Sequence, residues 1–313
     1  MSEQQGIGGF FPLEIGAGAA PHHAGAVALA SGRACLRQLI EQRRPVRLWL
    51  PDYICDSVVR TVEKTGVDIG RYELDETLDP VLPDVGGSEG LLYVNYFGLK
   101  GATARALDRS LGERAIIDDT HAFFEKGYES AASFNSARKF FGVPDGAYLY
   151  GSRTQIRMQA APAHVHYEHL VSRLLGDQQT AFEQYRQSEA CVSDEPASMS
   201  ILSERLLGGV DYGAVRARRL SNFAELQRHL GSRNRLRIGA PLETDVPFCY
   251  PLLVDGEVPW EQLWKAGVFA PVLWPEVKDH MLARRLMPLP VDHRYGVDDM
   301  RRVAGIVSQV LGW

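Results

Sequence analysis

The chain has 313 residues, 45% hydrophobic and 23% charged, with a formal net charge of −5; these are the proportions of a globular protein, and the acidic balance gives no electrostatic case for nucleic acid or an anionic membrane surface. No apolar run approaches the roughly 20 residues of a membrane-spanning helix, and Met-Ser-Glu-Gln-Gln lacks the basic start and apolar core of a secretory signal. The length suggests about two domains, and Cys35, Cys55, Cys191 and Cys249 show neither Cys-x-x-Cys nor metal spacing, so reduced thiols in the cytoplasm are expected.

Arg47-Leu48-Trp49-Leu50 predicts a short buried strand stopped by Pro51-Asp52, and Asp56 to Lys64 a helix with Val58, Val59 and Val62 at helical spacing. Strands are expected at 67–72 and 91–95, a helix from Thr103 to Leu111, and strands at 115–118 and, after a Pro-Asp-Gly turn, 147–150. Short apolar strands between helices read as an α/β fold whose sheet is covered on both faces. In such sheets, ligand groups come from strand carboxyl ends and the loops after them. From about residue 165 the pattern turns helical, over 167–175, 180–188, 200–207 and 212–230. In the last of these, Arg216, Arg218, Arg219 and Arg228 read as a solvated or interface face. A strand near 248–254, a helix at 260–266, a strand at 268–272 and a closing helix at 297–311 complete a small α+β cap. The boundary falls near Gly209, giving a large α/β domain over 1–209 and a connector helix with a small α+β domain over 210–313.

The most informative segment is Ser136-Ala137-Arg138-Lys139-Phe140-Phe141-Gly142-Val143-Pro144-Asp145-Gly146-Ala147. A lysine followed by an aromatic pair and a tight turn belongs where the chain is buried and bent. Burial lowers its proton affinity and makes its amine a usable nucleophile for a Schiff base. The plainer reading is an Arg-Lys pair before a surface turn. Upstream, Ser31-Gly32-Arg33 opens a helix. It is an anion site by its free N–H groups, or simply an N-cap. Asp118 ends an apolar strand, where it could pair with a protonated ring nitrogen of a cofactor, and His121 could lie on or beside that ring; an Asp cap and a satisfied histidine are the alternatives. Together these stations supply, in chain order, a phosphate cradle, a ring-nitrogen acid and an amine nucleophile, the minimum set for pyridoxal 5′-phosphate.

On those residues the chain resembles the DegT/DnrJ/StrS-type sugar aminotransferases, a group of fold-type-I pyridoxal-phosphate enzymes. Ser31-Gly32-Arg33-Ala34 resembles their Ser-Gly-Thr-Ala loop, Asp118-Asp119-Thr120-His121-Ala122 their Asp-Ala-Ala-Gln/His-Ala segment, and Lys139 followed by Asp145-Gly146-Ala147 their Schiff-base lysine followed by Glu-Gly-Gly. Leu50-Pro51-Asp52-Tyr53-Ile54-Cys55, Val94-Asn95-Tyr96-Phe97-Gly98, Arg218-Arg219-Leu220-Ser221-Asn222-Phe223 and Trp274-Pro275 extend the likeness along most of the chain. The resemblance implies a large domain with a mixed, mostly parallel sheet between helices, a small C-terminal domain, and a homodimer with active sites at the subunit interface. It implies that Lys139 carries the cofactor and shuttles the proton, that Asp118 binds the pyridine nitrogen, that Ser31, Gly32, Arg33 and Ser136 hold the phosphate, and that His121 sits at the ring. The implied reaction moves an amino group, usually from glutamate, to a keto sugar carried on a nucleotide, for glycan or polysaccharide synthesis.

The chain also departs from that pattern. Cys55 falls where the family places an aromatic on the cofactor ring, so either His121 or Tyr53 compensates or the ring is held more loosely. The phosphate serine, five residues before lysine in the family, is here assigned to Ser136, three before. The family's Gly-Tyr-Asn-Tyr-Arg loop has no counterpart, and Glu189 to Met199 occupies its region. These departures leave room for a non-transaminating member, either a regulatory or scaffold protein binding the cofactor or a nucleotide sugar, or a pyridoxal-phosphate sugar dehydratase or lyase. His164-Val165-His166-Tyr167-Glu168-His169 lacks His-Glu-x-x-His spacing and reads as a surface or substrate-facing run rather than a metal site. Asp292, His293 and Arg294 are further candidates to face substrate.

Overall fold

Gly90-Leu91-Leu92-Tyr93-Val94 is buried at every position, so neither face of this strand meets water and a second layer must cover each. A computed structural model describes residues 13–16, 18, 21–151, 159–161, 165–238 and 242–313. The first part runs β1 (Val27–Leu29), α1 (Gly32–Arg43), β2 (Arg47–Pro51), α2 (Asp56–Thr65), β3 (Asp68–Tyr72), β4 (Glu89–Val94), α3 (Gly101–Leu111), β5 (Ala115–Asp118), β6 (Ala132–Phe134) and β7 (Ala147–Tyr150). Among the described residues these strands form a seven-stranded sheet in the order β1-β7-β6-β5-β4-β2-β3. Every pairing is parallel except those of β7, which runs against both β6 and β1. The architecture is thus α/β with a mixed, mostly parallel sheet.

Register brings the carboxyl ends of three strands level. Val94 pairs with Asp118, and Asp118 with Phe134. Ser31 caps α1 beside them, its Oγ accepting from the Ala34 amide at 3.0 Å, which satisfies one of the orphan donors of a first turn.

The chain continues through α4 (Glu168–Leu174), α5 (Gln178–Ala190), α6 (Ile201–Gly208), α7 (Tyr212–Leu230), β8 (Cys249–Leu253), α8 (Trp260–Lys265), α9 (Met281–Arg285), β9 (Leu286–Pro290) and α10 (Val297–Leu311). β8 and β9 pair antiparallel, and their apolar side chains pack with Leu226 and Leu230 of α7 and Met300, Ala304 and Val307 of α10 as a second buried cluster. Residues 268–272 form no strand. The partner of β8 is Leu286–Pro290, whose two prolines hide its strand character; a two-stranded ribbon has an unpaired side on each strand, so a missing N–H costs little there.

The arginine face expected on α7 is not uniform. Arg218 and Arg228 are exposed, whereas Arg219 is only 1% exposed. Its Nη1 donates to the carbonyls of Pro247 and Phe248 at 3.2 Å, and its guanidinium lies 4.3 Å from the Phe140 ring centroid. Asn222, one turn on, donates to the carbonyls of Val291, Asp292 and Tyr295. This inward edge of α7 ties β8 and the turn before α10 to the loop that carries Lys139.

Candidate active site

The strand ends, the α1 N-terminus and the α4–α5 hairpin enclose a cavity of about 320 Å³, within the range of small-molecule sites. Lys139 ends a single 3-10 turn, Ala137–Lys139, that follows β6. Its loop is held from both sides. Ala137 N–H donates to Gly146 carbonyl at 3.0 Å, and Gly146 N–H to Ala30 carbonyl at 2.8 Å. Gly146 has φ 118°, and a Cβ there would lie 2.9 Å from Met199, so the turn requires glycine. The buried Asp145 carboxylate accepts from the Ser200 hydroxyl at 2.6 Å and amide at 2.9 Å, and also pairs with the Ser203 hydroxyl.

Lys139 is exposed only in the sense that its side chain extends into the hollow, with Nζ 3.4 Å from Thr120 Oγ1. The protein mass around the hollow lowers its affinity for a proton, and the carboxylate of Asp118 opposes that shift. Asp118 lines the same cavity at the end of β5, with Oδ1 accepting from the Thr120 amide at 2.9 Å. Burial pushes its carboxyl up, against the pull of Lys139 and Thr120. Asp119 turns away from the cavity: its Oδ1 accepts from Asn95 Nδ2 and the Tyr128 hydroxyl, both at 3.0 Å.

Ser31, Gly32, Arg33, Cys55 and Ser136 all line the cavity as well. Ser31 Oγ donates to the Ser193 carbonyl at 2.7 Å, and Arg33 Nη1 to the Val192 carbonyl at 2.9 Å. A Cβ on Gly32 would meet the Asn135 carbonyl and Thr120 at 3.4 Å, an ordinary van der Waals contact. Cys55 precedes α2, its Sγ 3.1 Å from Ser57 Oγ. Seven of the eight residues assigned to the cofactor from the sequence thus meet in one space.

His121 is the exception. It is fully buried and does not line the cavity. Its ring lies parallel to Phe248 at 4.5 Å and to Trp274 at 5.8 Å, and Nε2 is buried without a partner. Burial drives its pKa well below that of an ordinary histidine, so it is neutral. Tyr53 is also fully buried and outside the lining, stacked on His280 at 4.8 Å. The aromatic wall is instead supplied by Trp274, Phe134, Phe141 and Tyr185. Trp274 holds φ 51°, a left-handed backbone that is strained for so bulky a residue.

Sequence reasoning missed Arg138, Thr120 and Glu189, which also line the cavity. Arg138 was legible as the neighbour of Lys139, whereas nothing local marks Glu189, which arrives on α5. Within the histidine-rich run, His164 lies outside the described residues, His166 is exposed and His169 reaches the cavity. Asp292 is instead held by Arg294, whose Nε donates to it at 2.7 Å, and neither they nor His293 line it.

No protein-family model matches the sequence, and no curated protein matches it. Solved structures do match in fold. A DegT DnrJ EryC1 StrS aminotransferase from Brucella abortus aligns with TM-score 0.61 and 12% identity over 92% of this chain and 86% of its own. The sugar aminotransferase CalS13 from Micromonospora echinospora aligns with TM-score 0.62 and 13% identity over 93% and 88%. Spr1654 from Streptococcus pneumoniae, described as a putative sugar aminotransferase in the PMP-form, gives 0.58 and 12% over 94% and 92%. At such identities the match establishes the fold, and the fold of this chain is that of the DegT/DnrJ/EryC1/StrS-type aminotransferases.

Proposed function

We propose that the protein is a pyridoxal-phosphate-dependent aminotransferase acting on a keto sugar, nucleotide-linked, with glutamate as amino donor. The observation that carries this reading is the meeting of Lys139, Thr120 and Asp118 in one cavity at the strand carboxyl ends. The donor set fits the cofactor: an amine of lowered proton affinity, a buried carboxylate beside it, and the Ser31-Gly32-Arg33 cradle at a helix N-terminus. The bound cofactor supplies an aldehyde that captures amines and a ring that withdraws electrons from the carbon losing its proton.

Lys139 would hold the cofactor through Nζ. Its depressed proton affinity keeps a neutral amine available at lower pH than for an ordinary lysine, so the same atom can take a proton and return it. Asp118 would face the ring nitrogen and, as an anion, keep a proton on it. Ser31, Gly32, Arg33 and Ser136 would hold the phosphate, with Cys55 against the ring. Thr120, 3.4 Å from Nζ, orients the amine. The cavity walls of Phe134, Phe141 and Trp274 limit water at the reacting atoms. A cavity-facing lysine in a purpose-built turn favours catalysis over a scaffold role.

A second copy of the chain completes this reading. Val171, Leu174, Leu175 and Phe182 on the α4–α5 hairpin are exposed apolar side chains, at 46%, 86%, 78% and 62%, beside the cavity, the mark of an interaction surface. No helix among the described residues is long and apolar enough to cross a membrane.

The test is direct. Added pyridoxal 5′-phosphate is expected to give a visible absorbance band, and borohydride reduction to fix the cofactor on Lys139, as read by peptide mass spectrometry. Lys139→Ala should abolish both and lower turnover by at least about 10²-fold. Glutamate should bleach the band of the wild type. No band on the folded wild type sinks the catalytic reading; a band that glutamate leaves untouched excludes glutamate as donor.

A further inference from the structure

Arg33, on the first turn of α1, and Arg138, next to Lys139, both line the cavity, and one carboxylate reaches both. Glu189 Oε1 pairs with Arg138 Nη2, and Glu189 Oε2 lies 3.9 Å from Arg33 Nη2. Glu189 occupies the last turn of α5, where the helix dipole disfavours a negative charge. The arginine pair, not the helix, therefore accounts for an anion at this point. The chain just beyond is bound to the same cradle through the carbonyls of Val192 and Ser193. Among the charged side chains lining the cavity, Arg33, Arg138 and Lys139 face Asp118 and Glu189. With Glu189 in place its one charge is shared between the two guanidiniums, and both lose it when it swings away. A phosphate monoester, close to a dianion at neutral pH, balances the second arrangement, and planar guanidiniums match its oxygens.

We propose that Arg33 and Arg138 form a two-arginine clamp for a phosphate monoester, and that Glu189 is the chain's own carboxylate competing for the same two guanidiniums. Ligand binding then moves the end of α5 off the cavity. The clamp draws on a single chain, in the region where the sequence lacks the family's partner loop. The inference rests on the proposed cofactor reading for the identity of the phosphate carrier, while the clamp itself is testable without Lys139 chemistry.

The probes are pyridoxine 5′-phosphate, which has no aldehyde for Lys139 to capture, unphosphorylated pyridoxine, and uridine diphosphate, titrated calorimetrically at fixed ionic strength. Glu189→Gln is expected to bind pyridoxine 5′-phosphate roughly 10-fold more tightly than the wild type, and Arg138→Gln roughly 10-fold more weakly, the scale of one charge-assisted contact. Pyridoxine should not discriminate among the three proteins. Hydrogen exchange over residues 186–194 should rise when the phosphate ester binds. Equal or weaker binding by Glu189→Gln overturns the proposal; should that variant fail to fold, unchanged affinity in Arg138→Gln does so. A gain confined to uridine diphosphate overturns the monoester assignment. If the Lys139-dependent band forms while Glu189→Gln leaves phosphate affinity unchanged, the clamp fails and the cofactor reading stands; the opposite pair of results sinks the cofactor reading and keeps the clamp.

Discussion

The two sides of the cavity are built differently. On the sheet side, Asp118, Phe134 and Ala137 are buried, and the Lys139 turn is fastened by main-chain bonds to Ala30 and Gly146 and by the Asp145 carboxylate. On the hairpin side, α4 has no buried residue and α5 only Ala181 and Ser188. What holds the hairpin to the cavity is polar: Glu189 on two arginines and two carbonyls on Ser31 and Arg33. Groups that need fixed geometry stand on the strand ends, and a segment with little buried apolar area, hence the lower local stability, closes over them. The contrast separates chemistry from access.

Three measurements would break or sharpen that contrast. The largest effect should come from Asp145→Ala, which removes the carboxylate that accepts from the Ser200 amide and from the Ser200 and Ser203 hydroxyls. A loss of about 2–3 kcal/mol in urea-induced unfolding is expected, together with slower cofactor capture by Lys139. A loss below about 0.5 kcal/mol would mean the sheet side is not fastened as described.

Next comes pH. His23 is buried against Tyr148 and Tyr150, with Nδ1 2.7 Å from the Tyr150 hydroxyl, and burial pushes its pKa down to about 3. The unfolded chain binds a proton there below about pH 6.5, and the native state does not until about pH 3. Stability should therefore fall as pH drops through that window, by up to about 1.4 kcal/mol per pH unit from this group alone. His22, pushed down to about 4, adds to the same slope. Unfolding curves at pH 7 and 5 check this, and His23→Gln should flatten the difference.

The smallest effect on stability belongs to the hairpin. Leu174→Glu, at a side chain 86% exposed, should change unfolding free energy by no more than about 0.5 kcal/mol. For the dimer proposed above, light scattering should nonetheless show weakened association. A dimer unaffected by Leu174→Glu and Phe182→Glu together would place the subunit contact elsewhere.

Much of this was legible along the chain because the signals were local. Ala115–Asp118, Ala147–Tyr150, Tyr212–Leu230 and Val297–Leu311 follow from apolar period and turn residues with bounds that match the fold. β1 and β6, three residues each, are too short to show any period. β9 was hidden by its prolines, and 268–272, apolar enough to suggest a strand, meets no pairing partner. Arg219 looked solvated because helix charges usually are. Only the packing of α7 against Phe140 and the chain before β8 turns that one residue inward.

By itself, then, the sequence determined the alternation of strands and helices from β2 to β5 and the long helices α7 and α10, and placed Ser31, Asp118 and Lys139 at turns that an α/β sheet brings to one edge. Those are properties of short stretches, set by side-chain period and by capping and turn chemistry. Only the tertiary structure decided that His121 lies behind the cavity in a stack with Phe248 and Trp274, that Trp274 rather than Tyr53 forms the wall, and that Glu189 meets Arg33 and Arg138. Each of those contacts joins segments far apart in the chain, so its existence depends on how layers pack, which no local pattern encodes.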